Sequence, residues 1–128
     1  MHAAIDAKDE DSAHLLLDGG MDPRERDGYR RTALHWAAFK GCTSVVEKLL
    51  SGEHHDSLIN AQNRYGNTAL HKAAYFNQPT TVALLLEHPN IDINIKTESG
   101  RTPLQYAIYF NNNDCKRLAA RYDRYMYL

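Results

Sequence analysis

A four-residue box returns along this chain at nearly constant spacing. Thr32-Ala33-Leu34-His35 recurs as Thr68-Ala69-Leu70-His71 and again as Thr102-Pro103-Leu104-Gln105, at intervals of 36 and 34 residues. A repeat of this length is one supersecondary unit that cannot bury its apolar faces alone, so neighbouring copies must stack and share a continuous core. Fifteen residues beyond each His or Gln lies the second member of a small or leucine pair: Leu49-Leu50, Leu85-Leu86, Ala119-Ala120. The same ruler puts His2 where His35 sits and ends on Leu16-Leu17, so a further copy begins in mid-repeat.

The second copy shows how one unit folds. Thr68 precedes Ala69–Phe76 and is a good N-cap, its hydroxyl taking up an unpaired N–H of the first turn. Leu70, Ala73 and Ala74 share a face at i, i+3, i+4, and the alanines let neighbouring helices approach closely. Asn77 stands where Gly41 and Asn111 stand in the other copies. Gly and Asn tolerate the left-handed conformation that closes a helix. Pro79 suits the first turn of a second helix, where its missing N–H costs nothing. Val82, Leu85 and Leu86 give that helix its apolar stripe.

These boxes, the helix pair and the period resemble the ankyrin repeat, with its T-P-L-H box. Gly20-Met21-Asp22-Pro23 and Ile91-Asp92-Ile93-Asn94 are similar to the family's G-A-D-V-N turn. The resemblance covers essentially all of the chain. It implies a single domain over 1–128: an all-α ankyrin-repeat solenoid of stacked helix-turn-helix units with β-hairpin-like loops. The repeats fall at about 1–26 (a partial N-cap), 27–62, 63–96 and 97–128 (a C-cap).

Departures from the pattern make expectations of their own. Gly66 and Gly100 stand two before the box threonine, where the hairpin turn wants glycine, but the first copy has Arg30 there and its glycine at Gly28. Non-glycine residues at positive φ are uncommon, so a differently shaped first tip is expected. The first linker is longer, with the extra residues in Ser51–Ser57, read as a solvated surface loop. Residues 1–27 hold eight acidic and three basic side chains, a local charge of −5. Asp9-Glu10-Asp11 is placed at the start of a helix, where negative charge favours the dipole. At the other end Leu118, Tyr122, Tyr125 and Met126 form a stripe that lids the last repeat, a docking or dimer face being the alternative.

Composition excludes several function classes. The 128 residues carry 15 basic and 16 acidic side chains, a formal charge of −1, which is not the basic footprint of a nucleic-acid binder. Cys42 and Cys115 are 73 apart with no CxxC, so neither a zinc knuckle nor a disulfide scaffold is expected. No apolar run approaches the ~20 residues of a membrane span, and no signal peptide opens the chain, so it reads as intracellular, cytoplasmic or nuclear.

No catalytic constellation stands out, and the chain is expected not to be an enzyme and to need no cofactor. By resemblance, His35 and His71 tie one repeat's loop to the next. His54-His55-Asp56 is the one dense polar cluster, and it lacks further ligands at any standard metal spacing, so no metal is expected. Cys115 aligns with Val45 and reads as a buried hydrophobe; Cys42, at the inter-helix turn, reads as exposed. Some ankyrin repeats are hydroxylated on the turn asparagine, and Leu86, Asp92 and Asn94 match the spacing for it. Asn94 is therefore a candidate modification site.

Ankyrin arrays bind proteins through hairpin tips and the exposed ends of first helices on the concave side. Carried onto this chain, that surface comprises Tyr29, Arg31, Arg64, Tyr65 and Arg101 at the tips. The helix ends contribute Phe39, Lys40, Tyr75, Phe76, Tyr109 and Phe110. Trp36, Lys72 and Tyr106 follow the box position along the inner edge. Of each helix-end pair of rings, one is expected to be buried and one available. The recurring Arg and Lys favour an acidic partner, either a folded domain or an extended peptide. The resulting reading is a monomeric, non-catalytic protein-interaction module acting as an inhibitor or adaptor. The alternative is a structural or targeting segment of a larger ankyrin-containing protein, such as a secreted effector.

Overall fold

The computed structural model describes residues 22–109 together with 113, 114 and 117. Within residues 22–109 the chain forms six helices: α1 Ala33–Lys40, α2 Thr43–Ser51, α3 His55–Ile59, α4 Ala69–Tyr75, α5 Pro79–Leu86 and α6 Pro103–Tyr109. Helices α1 and α2 fold back on each other, as do α4 and α5. The first helices α1, α4 and α6 lie side by side in one row, and α2 packs on α5 in a second. Between the rows Leu34, Ala37, Ala38, Val45, Val46, Leu70, Ala73, Val82 and Leu85 are sealed from solvent. The alanines of α1 and α4 keep the first helices close, while the larger buried side chains are Leu34 and Leu70 on that row and Val45, Val46, Val82 and Leu85 on the second.

The helix boundaries follow from local chemistry. Thr68 caps α4: its hydroxyl accepts the His71 N–H at 3.3 Å, and its own N–H donates to His71 Nδ1 at 3.0 Å. Thr102 and Gln105 make the same reciprocal pair, with Gln105 Oε1 accepting the Thr102 N–H at 2.8 Å. This is a capping box in which either His or Gln fills the third helical position. Asn77 closes the α4 turn at φ 54°, as Gly41 closes α1 at φ 72°. Pro79 opens α5.

The box histidines join consecutive repeats. His35 Nδ1 accepts from the Thr32 N–H at 3.1 Å, which leaves the ring proton on Nε2, and Nε2 donates to the Asn67 carbonyl at 2.9 Å. His71 repeats this with Thr68 and the Arg101 carbonyl, at 3.0 and 2.9 Å. Both rings are fully buried. Further bonds run in parallel. The Arg64 N–H donates to the Tyr29 carbonyl and the Glu98 N–H to the Tyr65 carbonyl, at 2.8 and 3.0 Å. Arg26 and Gln62, 36 positions apart, each reach both their own tip and the next repeat: Arg26 to the Arg30 and Gln62 carbonyls, Gln62 to those of Gly66 and Lys96.

Three expectations need correction here. The first tip is not differently shaped: Arg30 takes φ 62° and occupies the place of Gly66 (83°) and Gly100 (81°). The tip is built instead by the residue five before the box threonine. Asp27 Oδ1 accepts the N–H groups of Tyr29 and Arg31, and Asn63 Oδ1 accepts those of Tyr65 and Asn67. This side-chain turn supports the left-handed position whatever residue fills it. Second, Ser51–Ser57 is not merely a solvated loop, because it runs into α3, whose Leu58 and Ile59 are buried. Third, Cys42 is buried, 3% exposed, in the turn between α1 and α2. The readings placed on Cys115, on Asp9–Asp11 and on Leu118, Tyr122, Tyr125 and Met126 lie outside the described residues.

Gly66 differs from Arg30 in its surroundings: a Cβ there would come 2.9 Å from the Glu98 nitrogen of the next tip. Gly66→Ala is therefore expected to destabilise the fold by about 1–3 kcal/mol, whereas Arg30→Gly relieves a left-handed side chain and stabilises by up to about 1 kcal/mol. Urea unfolding of the two variants tests this opposite pair of signs.

Burial holds His35 and His71 down to about 4, against an ordinary value of 6.5. Between those values the unfolded chain binds protons that the folded chain excludes. Stability is therefore complete above pH ~6.5 and falls as pH drops toward 4, by up to about 1.4 kcal/mol per pH unit for each histidine. Urea midpoints measured from about pH 7 to pH 5, above most carboxylate titration, should fall steadily. A flat profile there would mean that the rings are protonated in the folded state.

Candidate functional site

The face formed by the hairpin tips and first helices carries a continuous row of aromatic rings. Trp36 meets Phe39 edge-on at 5.9 Å between centroids, and Phe39 meets Phe76 of the next repeat at 4.3 Å. Tyr75 lies 4.6 Å from Phe76 and 5.6 Å from Tyr106 of the third repeat. The row exists because helices α1, α4 and α6 are in register, so positions one helical turn past the box line up across repeats. At the tips, Tyr29 and Tyr65 stack at 6.4 Å and are about half exposed.

Cations border the row. The Arg31 guanidinium sits 4.1 Å from the Trp36 ring centre and 4.8 Å from that of Tyr29. Lys40 Nζ lies 4.7 Å from the Phe39 ring. Arg31 also pairs through Nε with Asp27 Oδ2 at 2.7 Å. Burial opposes the charge on Asp27, but hydrogen bonds from Arg31 and Tyr29 outweigh it and hold the carboxyl below its usual range. Lys72 is pushed down by burial and then by the nearby Arg31 charge.

Of the expected surface residues, Tyr29, Arg31, Trp36, Phe39, Lys40, Tyr65, Lys72, Tyr75, Phe76 and Tyr106 are linked by these ring contacts, with one correction: Tyr75 and Phe76 are both exposed, at 41% and 38%, rather than one buried and one available. A seven-residue α4 ends at Tyr75, so Phe76 leaves the helix and turns outward beside it. Trp36, Phe39, Lys40, Lys72 and Tyr106 are partly buried, and Arg64 is exposed. Phe110 and the Tyr109 side chain lie outside the described residues.

The polar cluster is rearranged. His54 turns toward Glu53, while His55 Nδ1 meets His88 Nε2 of the next repeat at 2.8 Å. Asp56 Oδ1 lies 3.3 and 3.6 Å from those two nitrogens. His88 is the member sequence reasoning missed. Its 33-residue offset from His55, close to the repeat period, is the signal that would have found it. The three atoms are near enough to share an ion, but the chemistry of the donor set does not suit one. The Asn90 N–H donates to His88 Nδ1 at 3.0 Å, which places the ring proton on Nε2, the atom a metal would need free. The pair works instead as a hydrogen-bonded seam between repeats. Asn60 adds to this seam by bonding the Asn90 carbonyl and the Asp92 N–H at 2.8 and 2.9 Å. Asn94 is exposed in the same turn, its N–H donating to Asp92.

Helix pairs stacked in register, with hairpin tips linked by backbone bonds and box histidines reaching across each junction, define a repeat solenoid. The sequence pattern of ankyrin repeats, in three copies, matches residues 1–97 and again 59–125. The chain belongs to the ankyrin-repeat family, a protein-interaction fold. It is 33% identical to mouse Rabankyrin-5 over 107 residues, 73% of this chain and 9% of that protein. It is 34% identical to human NF-kappa-B inhibitor alpha over 89 residues, 67% of this chain and 28% of that protein. Zebrafish (Danio rerio) Inversin is 46% identical over 63 residues, 49% of this chain and 6% of that protein. The chain therefore spans only a minor part of the length of these curated relatives. No helix among the described residues is long and apolar enough to cross a membrane.

The Phe39–Phe76 contact couples two repeats on this face. A double-mutant cycle with Phe39→Ala and Phe76→Ala, read by urea unfolding, is expected to give a coupling of about 0.5–1.5 kcal/mol, the range for edge-to-face aromatic pairs. Additive effects would show that the rings stabilise the stack separately.

Proposed function

We propose that this array is a non-catalytic binding module that takes up a partner protein along the aromatic row and hairpin tips. The observation carrying this reading is that Tyr29, Tyr65, Tyr75 and Phe76, the large aromatics left exposed among the described residues, all lie on that one face. Interface hot spots are enriched in Tyr, Trp and Arg, and Arg31, Lys40 and Lys72 border the rings while Arg64 and Arg101 stand at the tips, which favours a partner of acidic character. The module works as an intracellular monomer over 1–128, as an inhibitor or adaptor, by covering its partner's surface. Its similarity to NF-kappa-B inhibitor alpha, by name an inhibitor, lends support to the inhibitor form. Service as a segment of a larger ankyrin protein would use the same face, and the small share of Rabankyrin-5 and Inversin that the chain spans favours it as the second reading.

The test is affinity capture from the source cell, comparing the wild-type chain with a Tyr75→Ala, Phe76→Ala, Arg64→Ala variant by mass spectrometry. A partner held by the wild type should bind the folded variant at least about tenfold more weakly. Retention of every partner by a variant with native circular dichroism would move the interface elsewhere.

A further inference from the structure

Among the described residues, one hollow on this face is bordered by two cations and by no carboxylate. Arg31, His35, Trp36, Phe39 and Lys72 enclose about 180 Å³ between α1 and α4. Arg31 is only partly engaged: Nε is held by Asp27, and its two terminal nitrogens have no acceptor among the described residues. Lys72 has no carboxylate within ion-pair distance among those residues, and the charge pressing on it is the like charge of Arg31. The Trp36 indole N–H is closed to solvent, with no hydrogen-bond partner among the described residues, so Trp36 meets the hollow with its ring. His35 offers no acceptor, since its Nδ1 faces Thr32 and its Nε2 donates to the Asn67 carbonyl. Asp27 is engaged at both oxygens, Oδ1 accepting two backbone N–H groups and Oδ2 accepting Arg31 Nε.

Two adjacent cations on a half-enclosed hollow repel each other when nothing anionic lies between them. We propose that the hollow seats the carboxylate of a glutamate or aspartate side chain of the partner protein, between Arg31 and Lys72, with its methylene stem against Trp36 and Phe39. This rests on the binding face described above. The space equals about six waters at ~30 Å³ each, enough for an acidic side chain to displace. The terminal nitrogens of arginine match a carboxylate, and in a partly desolvated site the charge-assisted bonds are strong. The aromatic walls favour an acid on an apolar stem over a small hydrated anion, and the hollow adjoins the exposed Tyr75 and Phe76 ridge that the rest of the partner would cover.

Trp36 is the chain's single tryptophan, so its fluorescence and indole N–H resonance report on the hollow alone. The full chain is titrated with hexaglutamate at low ionic strength, with hexaglutamine as the uncharged control. Hexaglutamate should shift the Trp36 signals saturably and hexaglutamine should not. The affinity should fall about tenfold in Lys72→Gln and fall again as salt rises. Lys48→Gln, which removes the same charge from the outer helix α2, should change it by less than about twofold. An unmoved Trp36, or equal losses in the two lysine variants, would overturn the proposal. So would tighter hexaglutamate binding after Asp9, Glu10 and Asp11 are replaced by their amides, because the occupant would then be this chain's own acidic segment. If the hollow fails while the Tyr75, Phe76, Arg64 variant still loses its partner, the binding face stands without it. If that variant keeps its partner, the face itself is wrong, whatever hexaglutamate does.

Discussion

The buried bridge from a threonine through a neutral imidazole to the next repeat's carbonyl is the interaction on which the stack depends. His35 and His71 each satisfy a helix N-terminus within their own repeat and a loop carbonyl in the neighbour. A neutral imidazole is suited to this because one nitrogen accepts while the other donates. The same burial that makes the bridge strong makes it acid-sensitive, since the rings resist a proton down to about 4. Because each bridge spans only one junction, stability accumulates between neighbours, as it does along any quasi-one-dimensional array.

The alanine-rich first helices have a second consequence. Small side chains bring α1, α4 and α6 close enough for rings at their ends to touch across repeats, so Phe39 can reach Phe76 and Tyr75 can reach Tyr106. Packing and recognition therefore draw on the same residues. Rings that lean on one another lose little further rotamer freedom on binding, which lowers the entropic cost of presenting them. The polar seam of His55, His88, Asn60 and Asn90 ties the loops and second helices, leaving the aromatic face open.

Much of this was legible in the chain itself. The box, its period and the helix-closing Gly41 and Asn77 announced the solenoid, because each encodes a local requirement that holds in isolation: a cap, a left-handed residue, an apolar stripe. The harder cases involved contacts between units. Arg30 looked like a defect only because the Asp27 turn that supports it is a five-residue arrangement outside the box. His88 carried no motif and became the partner of His55 only when two repeats were stacked. Cys42 sat at a turn yet is buried.

The sequence alone determined the repeat unit and the helix pair that each full copy contains. Periodicity and capping are properties of neighbours along the chain, and a single strand of text contains them. Tertiary structure decided which rings remain exposed, as with Tyr75 and Phe76 together. It also decided that α3 folds in the long linker and that Arg31 and Lys72 border one hollow. Those outcomes depend on distances between side chains of different repeats, which exist only after the helices have docked.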